Sequence, residues 1–265
     1  MADPFWSSLS EVGGGVAEQS RIFAESSYEL SVAQTNGRRI RMDDLFIGQA
    51  TANAVVAVFD GANGGFAAET AREYVLKGWR KVIGAEDFET GARDFFANVQ
   101  ARMRSQVTGS SSTTALIADL SLVSRIRIVN LGDGRALLVN KDGSVRQVTT
   151  DHLVGNEAEL AAAKERGGSV FRGRLDGISL VTRSFNLEHC HVSAVPDIHT
   201  VDLTPDSEWL VLASDGVFEK LSNERVAQLC VEYKTVAACT IVAEAIAKGV
   251  DDNCTVLCVR VSEDN

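Results

Sequence analysis

Ala54-Val-Val-Ala-Val-Phe59-Asp60-Gly61 and Trp209-Leu-Val-Leu-Ala-Ser214-Asp215-Gly216 share one form, an apolar run that stops at Asp-Gly. A short continuous apolar run bounded by turn residues reads as a strand buried in a sandwich core. Each run therefore delivers a carboxylate to the rim of a sheet. A carboxylate withdrawn from water needs a partner, and a bound cation is a partner that several can share. Asp252 stands just before another apolar run, Cys254-Thr-Val-Leu-Cys-Val-Arg-Val261, and the pair Asp43-Asp44 follows Gly37-Arg-Arg-Ile-Arg-Met42. One Asp-Gly after a strand is an ordinary turn. Four acidic strand ends, far apart in the chain, point instead to one metal site.

At 265 residues, 45% hydrophobic and with only 3 Pro, the chain is long enough to bury a full core as one domain. Its formal net charge of -10 argues against a nucleic-acid partner, because no basic field offsets phosphate repulsion. Cys190, Cys230, Cys239, Cys254 and Cys258 show no Cys-x-x-Cys spacing. They read as reduced, mostly buried small apolar residues of an intracellular protein. The start, Met1-Ala-Asp-Pro-Phe-Trp-Ser7, carries neither a basic leader nor an apolar stretch, and no segment reads as a membrane span. A monomer in the cytoplasm, with the nucleus left open, is the expectation.

Residues 1–27 contain Gly13-Gly14-Gly15 and read as a flexible or loosely packed segment, with one domain over 28–265. Strands are expected at Tyr28–Ala33, Thr113–Leu120, Arg125–Asn130, Ala136–Asn140, Val145–Thr149, Ile178–Thr182, Trp209–Ala213 and from Cys254. Apolar residues at helical spacing predict helices over Ala67–Val82 and Asp87–Gln106. A shorter helix is expected over Glu157–Arg166, stopped by Gly167-Gly168. Two more are expected after Ser222, a suitable N-cap, and over Val236–Lys248. Strands and helix pairs in this order fit an α+β fold, a four-layer α-β-β-α sandwich with two mostly antiparallel sheets between helix pairs.

The order and wording of these segments resemble the metal-dependent protein serine/threonine phosphatases of the PP2C type, the PPM family. The family's Arg-x-x-Met-Glu-Asp appears as Arg39-Ile-Arg-Met-Asp43-Asp44, and its Asp-Gly-His-Gly-Gly as Asp60-Gly-Ala62-Asn63-Gly64. Ser112-Thr-Thr-Ala115, Gly132-Asp133-Gly134-Arg135-Ala136, Thr150-Asp151-His152, Gly167-Gly168-Ser-Val170, Val181-Thr-Arg183-Ser-Phe185, Ala213-Ser-Asp215-Gly216 and Asp252-Asn253-Cys-Thr-Val256 follow in the family's order. Each motif alone is weak, and their succession from about Arg39 to Val261 is specific. The resemblance implies the same sandwich fold, hydrolysis of phosphoserine and phosphothreonine in protein substrates, and a dinuclear site.

An oxygen-only donor set without paired His or Cys favours two Mg²⁺ or Mn²⁺ ions over Zn²⁺. The resemblance assigns Asp60 as the bridging ligand, Asp43 and the Gly61 carbonyl to one side, and Asp215 with Asp252 to the other. Asp133 and Glu219 match the places of a further metal. Arg39 is the expected phosphate ligand, since a guanidinium fork matches two phosphoryl oxygens. Ala62 stands where the family usually has a His that protonates the leaving alkoxide. That departure motivates an alternative, a catalytically weak or inactive pseudophosphatase that binds a phosphoprotein or kinase. Asn63 takes a glycine's place in a turn whose left-handed backbone Asn tolerates. His152 is expected to support a loop beside the site, and Leu153–Gly177 to form a variable flap near it.

Overall fold

Central strands whose residues are buried on both faces account for the continuous apolar runs. The computed structural model describes residues 10–12, 15–20, 29–48, 55–106, 110–187 and 190–261. In chain order these form β1 (Ser10–Val12), β2 (Gly15–Ser20), β3 (Glu29–Thr35), β4 (Leu45–Ile47), β5 (Val55–Phe59) and β6 (Gly61–Ala62). Helices α1 (Phe66–Ile83) and α2 (Phe88–Gln106) come next. Then follow β7 (Ser112–Thr113), β8 (Ala115–Leu122), β9 (Arg125–Leu131), β10 (Arg135–Asn140), β11 (Val145–Gln147) and α3 (Glu157–Glu165). The chain continues through β12 (Val170–Phe171), β13 (Arg174–Leu175), β14 (Asp197–Asp202) and β15 (Ser207–Ala213). It closes with α4 (Asp215–Phe218), α5 (Asn223–Tyr233), α6 (Ala237–Ala247) and β16 (Cys254–Arg260).

The larger sheet has the order β1-β2-β3-β16-β15-β10-β11 and the smaller β14-β9-β8-β5-β4, with antiparallel neighbours throughout. Strand alternation sends each face to a different core. Val56 and Val58 of β5 meet Leu210 and Leu212 of β15 and Leu257 of β16 between the sheets. Val55, Ala57 and Phe59 point the other way, to the layer where Ala68, Ala71, Val75, Trp79 and Val82 line one face of α1. Trp209, Val211, Cys254, Val256 and Cys258 face the second helix layer, against Val226 and Cys230 of α5 and Ile241 and Val242 of α6. Three cores thus separate four layers, the α-β-β-α sandwich anticipated above.

The structure departs from the sequence expectation at the ends and edges. Ser10–Val12 and Gly15–Ser20, within the segment expected to be loosely packed, pair as strands on the outer edge of β3. That edge otherwise presents unpaired N–H and C=O groups that recruit further chain. Other residues of 1–27, and Tyr28, lie outside the described residues. Ile178–Thr182 is not a strand and makes only single bridges, Leu175↔Ser179 and Leu153↔Val181. The amides of Ile178 and Ser179 both turn back to the Leu175 carbonyl, and that of Val181 bonds to Ser179 Oγ, so no ladder forms. Edge strands β4 and β14 were not anticipated, being short or mostly polar. Among the described residues no helix is long and apolar enough to cross a membrane.

Candidate active site

Both Asp-Gly turns are tight because glycine lets two chain segments touch. A Cβ on Gly61 would lie 2.3 Å from the Asp43 carbonyl oxygen, and one on Gly216 would lie 2.2 Å from that of Asn253. Those contacts bring the loop before β4 and the loop before β16 against the ends of β5 and β15. Asp60 is locked by the end of β7 and the residue that joins it to β8. Its carbonyl accepts from the Thr114 amide at 2.9 Å and Thr113 Oγ1 at 3.0 Å, while its amide donates to Thr114 Oγ1 at 3.2 Å. Asn253 clamps the opposite loop. Its Oδ1 accepts from the Asp43 amide at 2.7 Å and its Nδ2 donates to the carbonyls of Asn36 and Arg41 at 3.2 and 3.0 Å.

Carboxylate oxygens of Asp60, Asp133 and Asp215 all lie within 4.8 Å of one another. Burial, and then the charge of the neighbouring carboxylates, pushes the carboxyls of Asp60 and Asp133 well above the usual range. Asp215 shifts the same way, again mainly through burial. Beside them Asp44 is fully buried and pushed up to about 7, mainly by desolvation. Ser214 Oγ and Thr255 Oγ1 each donate to its Oδ2 at 2.8 Å, whereas its buried Oδ1 has no hydrogen-bond partner among the described residues. Like charges held together out of water, with an unpartnered buried oxygen and oxygen-only donors, suit a divalent cation of the Mg²⁺ or Mn²⁺ kind. The residues fit such a group.

The remaining expected residues surround this cluster. Asp43 Oδ2 accepts from the Gly64 amide at 3.1 Å. Asp252 is paired with Arg39 at 2.6 Å, so the phosphate ligand expected from the sequence rests on a carboxylate expected to hold a metal. Arg39, Asp43, Asp60, Gly61, Asp133, Asp215 and Asp252 all line one cleft of about 870 Å³. Glu219, expected beside Asp133, caps the end of α4 and lines a separate hollow with Arg135 and Phe218. Burial, with the charges of Asp215 and Asp252, raises the Glu219 carboxyl above its ordinary value. Ala62 is exposed at the cleft, and Asn63 adopts φ 58, the left-handed turn expected of it.

His152 supports a loop, as expected. Its Nδ1 accepts from the Gly132 amide at 3.0 Å, so the ring proton sits on Nε2, 3.0 Å from Asp197 Oδ2. Glu159 also lies near these two, but it is taken up by Arg183 and Thr182, which leaves no donor set facing a cation there. Sequence reasoning placed the pair Asp43-Asp44 at the metal site but assigned only Asp43 as a ligand, and it gave no role to Asn253 or Thr114. Asp44 and Asn253 each sit next to an assigned residue, and their positions were the available signal. The Thr114 contact with Asp60 joins residues 54 apart and had none.

A family model described as protein phosphatase 2C matches residues 28–254. Protein phosphatase 1L of Bos taurus is 29% identical over 92% of this chain and 75% of its own length. Probable protein phosphatase 2C 28 of Arabidopsis thaliana is 33% identical over 58% of this chain and 46% of its own length. The fold also matches the crystal structure of a phosphatase from a pathogenic strain of Toxoplasma gondii, with a TM-score of 0.76 at 21% identity, covering 92% of this chain and 95% of that one. The family match covers every acidic segment converging on the cleft, from Asp43 to Asp252: the chain belongs to the protein phosphatase 2C family.

Proposed function

We propose that the protein hydrolyses phosphoserine and phosphothreonine in protein substrates, with two Mg²⁺ or Mn²⁺ ions in the cleft. The observation that carries this reading is the convergence of Asp60, Asp133 and Asp215 beside Arg39 in one cleft. Asp60, Asp43, the Gly61 carbonyl, Asp215 and Asp252 would hold the two ions, with Asp133 and Glu219 available to a further one. Bound divalent cations neutralise phosphoryl oxygens and lower the pKa of water to the neutral range. Arg39 would bind and orient the phosphate with its guanidinium, whose Nη2 also donates to Asp252 at 2.6 Å. The Asp60 backbone is held by three hydrogen bonds with Thr113 and Thr114, two accepted by its carbonyl and one donated by its amide, so the end of β5 needs little reorganisation.

Ala62 leaves the departing alkoxide without a side-chain acid at that place, which favours substrates whose leaving group needs little protonation. The test is hydrolysis of nitrophenyl phosphate and a phosphothreonine peptide with Mn²⁺, Mg²⁺ or EDTA, with Asp60→Asn as control. Turnover that vanishes in EDTA and falls at least about a hundredfold in Asp60→Asn is expected. Undiminished hydrolysis by Asp60→Asn would sink the reading. Ala62 also motivates the second reading, a phosphatase-like binding module. It is favoured if phosphopeptide binds by calorimetry while no phosphate is released from either substrate.

A further inference from the structure

The cleft has a second character beyond its acidic floor. Its lining includes the loop Arg38–Arg41, where Ile40 is 98% exposed. It also includes Arg174 of β13 and residues of the irregular segment after it, where Ile178 and Leu180 are 48% and 50% exposed. Three large aliphatic side chains left in water at the mouth of one cleft form a surface that association would cover. The same two stretches are cationic in a chain of formal net charge -10. Arg41 has no ion-pair partner among the described residues, and Arg174 Nη1 donates only to the Ile178 carbonyl, at 3.1 Å, which holds it beside the apolar wall.

Backbone geometry explains why Ile178 and Leu180 stay outward. Ser179, between them, is buried and its hydroxyl both donates to the Val181 carbonyl at 2.8 Å and accepts from the Val181 amide at 3.1 Å. The amides of Ile178 and Ser179 fold back on Leu175, and Val154 donates to the Leu180 carbonyl at 2.9 Å. The segment is thus pinned by its backbone and by Ser179, and its two aliphatic side chains contribute little to the core.

We infer that Ile40, Ile178 and Leu180, with Arg41 and Arg174, form a subsite for the polypeptide flanking the phosphorylated residue, selecting a large aliphatic neighbour followed by an acidic one. This deepens the phosphatase reading and rests on it for the occupant. The aliphatic walls match an aliphatic side chain, and the arginines match a carboxylate that the protein's overall charge would otherwise repel.

Fluorescence anisotropy of labelled peptides carrying a non-hydrolysable phosphonate mimic of phosphothreonine, on the full chain with Mn²⁺, tests it. The peptides carry Leu or Ala on both sides of the mimic, and Glu or Lys beyond. The wild-type protein is expected to bind the Leu peptide about tenfold more tightly than the Ala peptide. In Ile178→Ser/Leu180→Ser that ratio falls to about one, with the Glu-over-Lys preference retained. Arg174→Gln weakens the Glu-over-Lys preference and its salt dependence instead. Ile40→Ser, in an exposed loop, lowers the Leu-over-Ala ratio too and serves if the double variant melts early. Equal wild-type affinity for Leu and Ala peptides, or a ratio retained in both variants, overturns the subsite. Phosphate release from an ordinary phosphothreonine peptide is read separately. Selective binding without release keeps the subsite and removes the phosphatase reading, and release without selectivity does the reverse.

Discussion

At Gly216 a single hydrogen separates a formed site from a displaced one. Gly216→Ala places a methyl 2.2 Å from the Asn253 carbonyl, so the Asp252-Asn253 loop must move. We expect a loss of about 2 kcal/mol or more in urea denaturation, together with weaker cation binding by calorimetry, because backbone rather than a flexible side chain has to yield. Ala62 makes the opposite kind of prediction. Ala62→His is expected to raise phosphopeptide turnover more than nitrophenyl phosphate turnover, by up to about 10²–10⁴-fold if the introduced imidazole reaches the leaving oxygen. Equal gains on the two substrates would refute the missing acid as the limiting defect.

At the scale of elements, α3 and the segment after it are tied to β14 by one charged network. Glu159 of α3 accepts from Thr182 Oγ1 at 2.7 Å and from two nitrogens of Arg183, and Arg183 Nη1 reaches Asp197 of β14 at 2.6 Å. Hydrogen bonds from His152 and then Arg183 hold the Asp197 carboxyl well below the usual carboxylate range. A depressed pKa contributes stability that is present above the unfolded value, near pH 4, and is lost as pH falls through the folded one. Arg183→Ala leaves both carboxylates without their cation and is expected to cost about 2–3 kcal/mol in urea denaturation. The full penalty of a buried pair does not apply, because Asp197 keeps 32% of its side-chain surface in water. In that variant the Leu175–Thr182 stretch should gain susceptibility to proteolysis before the sheets do.

Across the whole molecule the acidic cluster works against the fold until it is neutralised. Asp44, Asp60, Asp133 and Asp215 have folded pKa values raised above their unfolded ones, so the unfolded chain gives up its protons first as pH rises. Stability of the cation-free protein therefore declines from about pH 4 upward, for Asp44 until about pH 7, where the folded group also ionises. Carboxylates held low, such as Asp197 and Glu159, are ionised in both states above about pH 5.5 and do not oppose the trend there. In EDTA the melting temperature should be lower at pH 8 than at pH 5.5. Added Mn²⁺ should raise it more at pH 8, where fewer protons compete for the same oxygens. A Mn²⁺-induced rise that is larger at pH 5.5 would contradict this account.

The layers were legible in the chain, because period-2 strands and period-3.6 helices carry their burial pattern locally. Val55–Phe59, Trp209–Ala213 and Val256–Val259 are apolar throughout because each run faces two cores, and the stripe along Phe66–Ile83 faces one. The sequence also named the carboxylates that end those strands, since charge at the end of a buried run is conspicuous in one dimension. Tertiary structure alone decided what those groups meet. The Arg39–Asp252 pair spans 213 residues, the bond from Thr255 to Asp44 spans 211 and the lock of Thr114 on Asp60 spans 54, and no local pattern encodes partners at such separations. The same holds for Ile178–Thr182, whose composition reads as strand. The amides of Ile178, Ser179 and Val181 are claimed by a tight turn and a serine hydroxyl, leaving the side chains of Ile178 and Leu180 at the cleft.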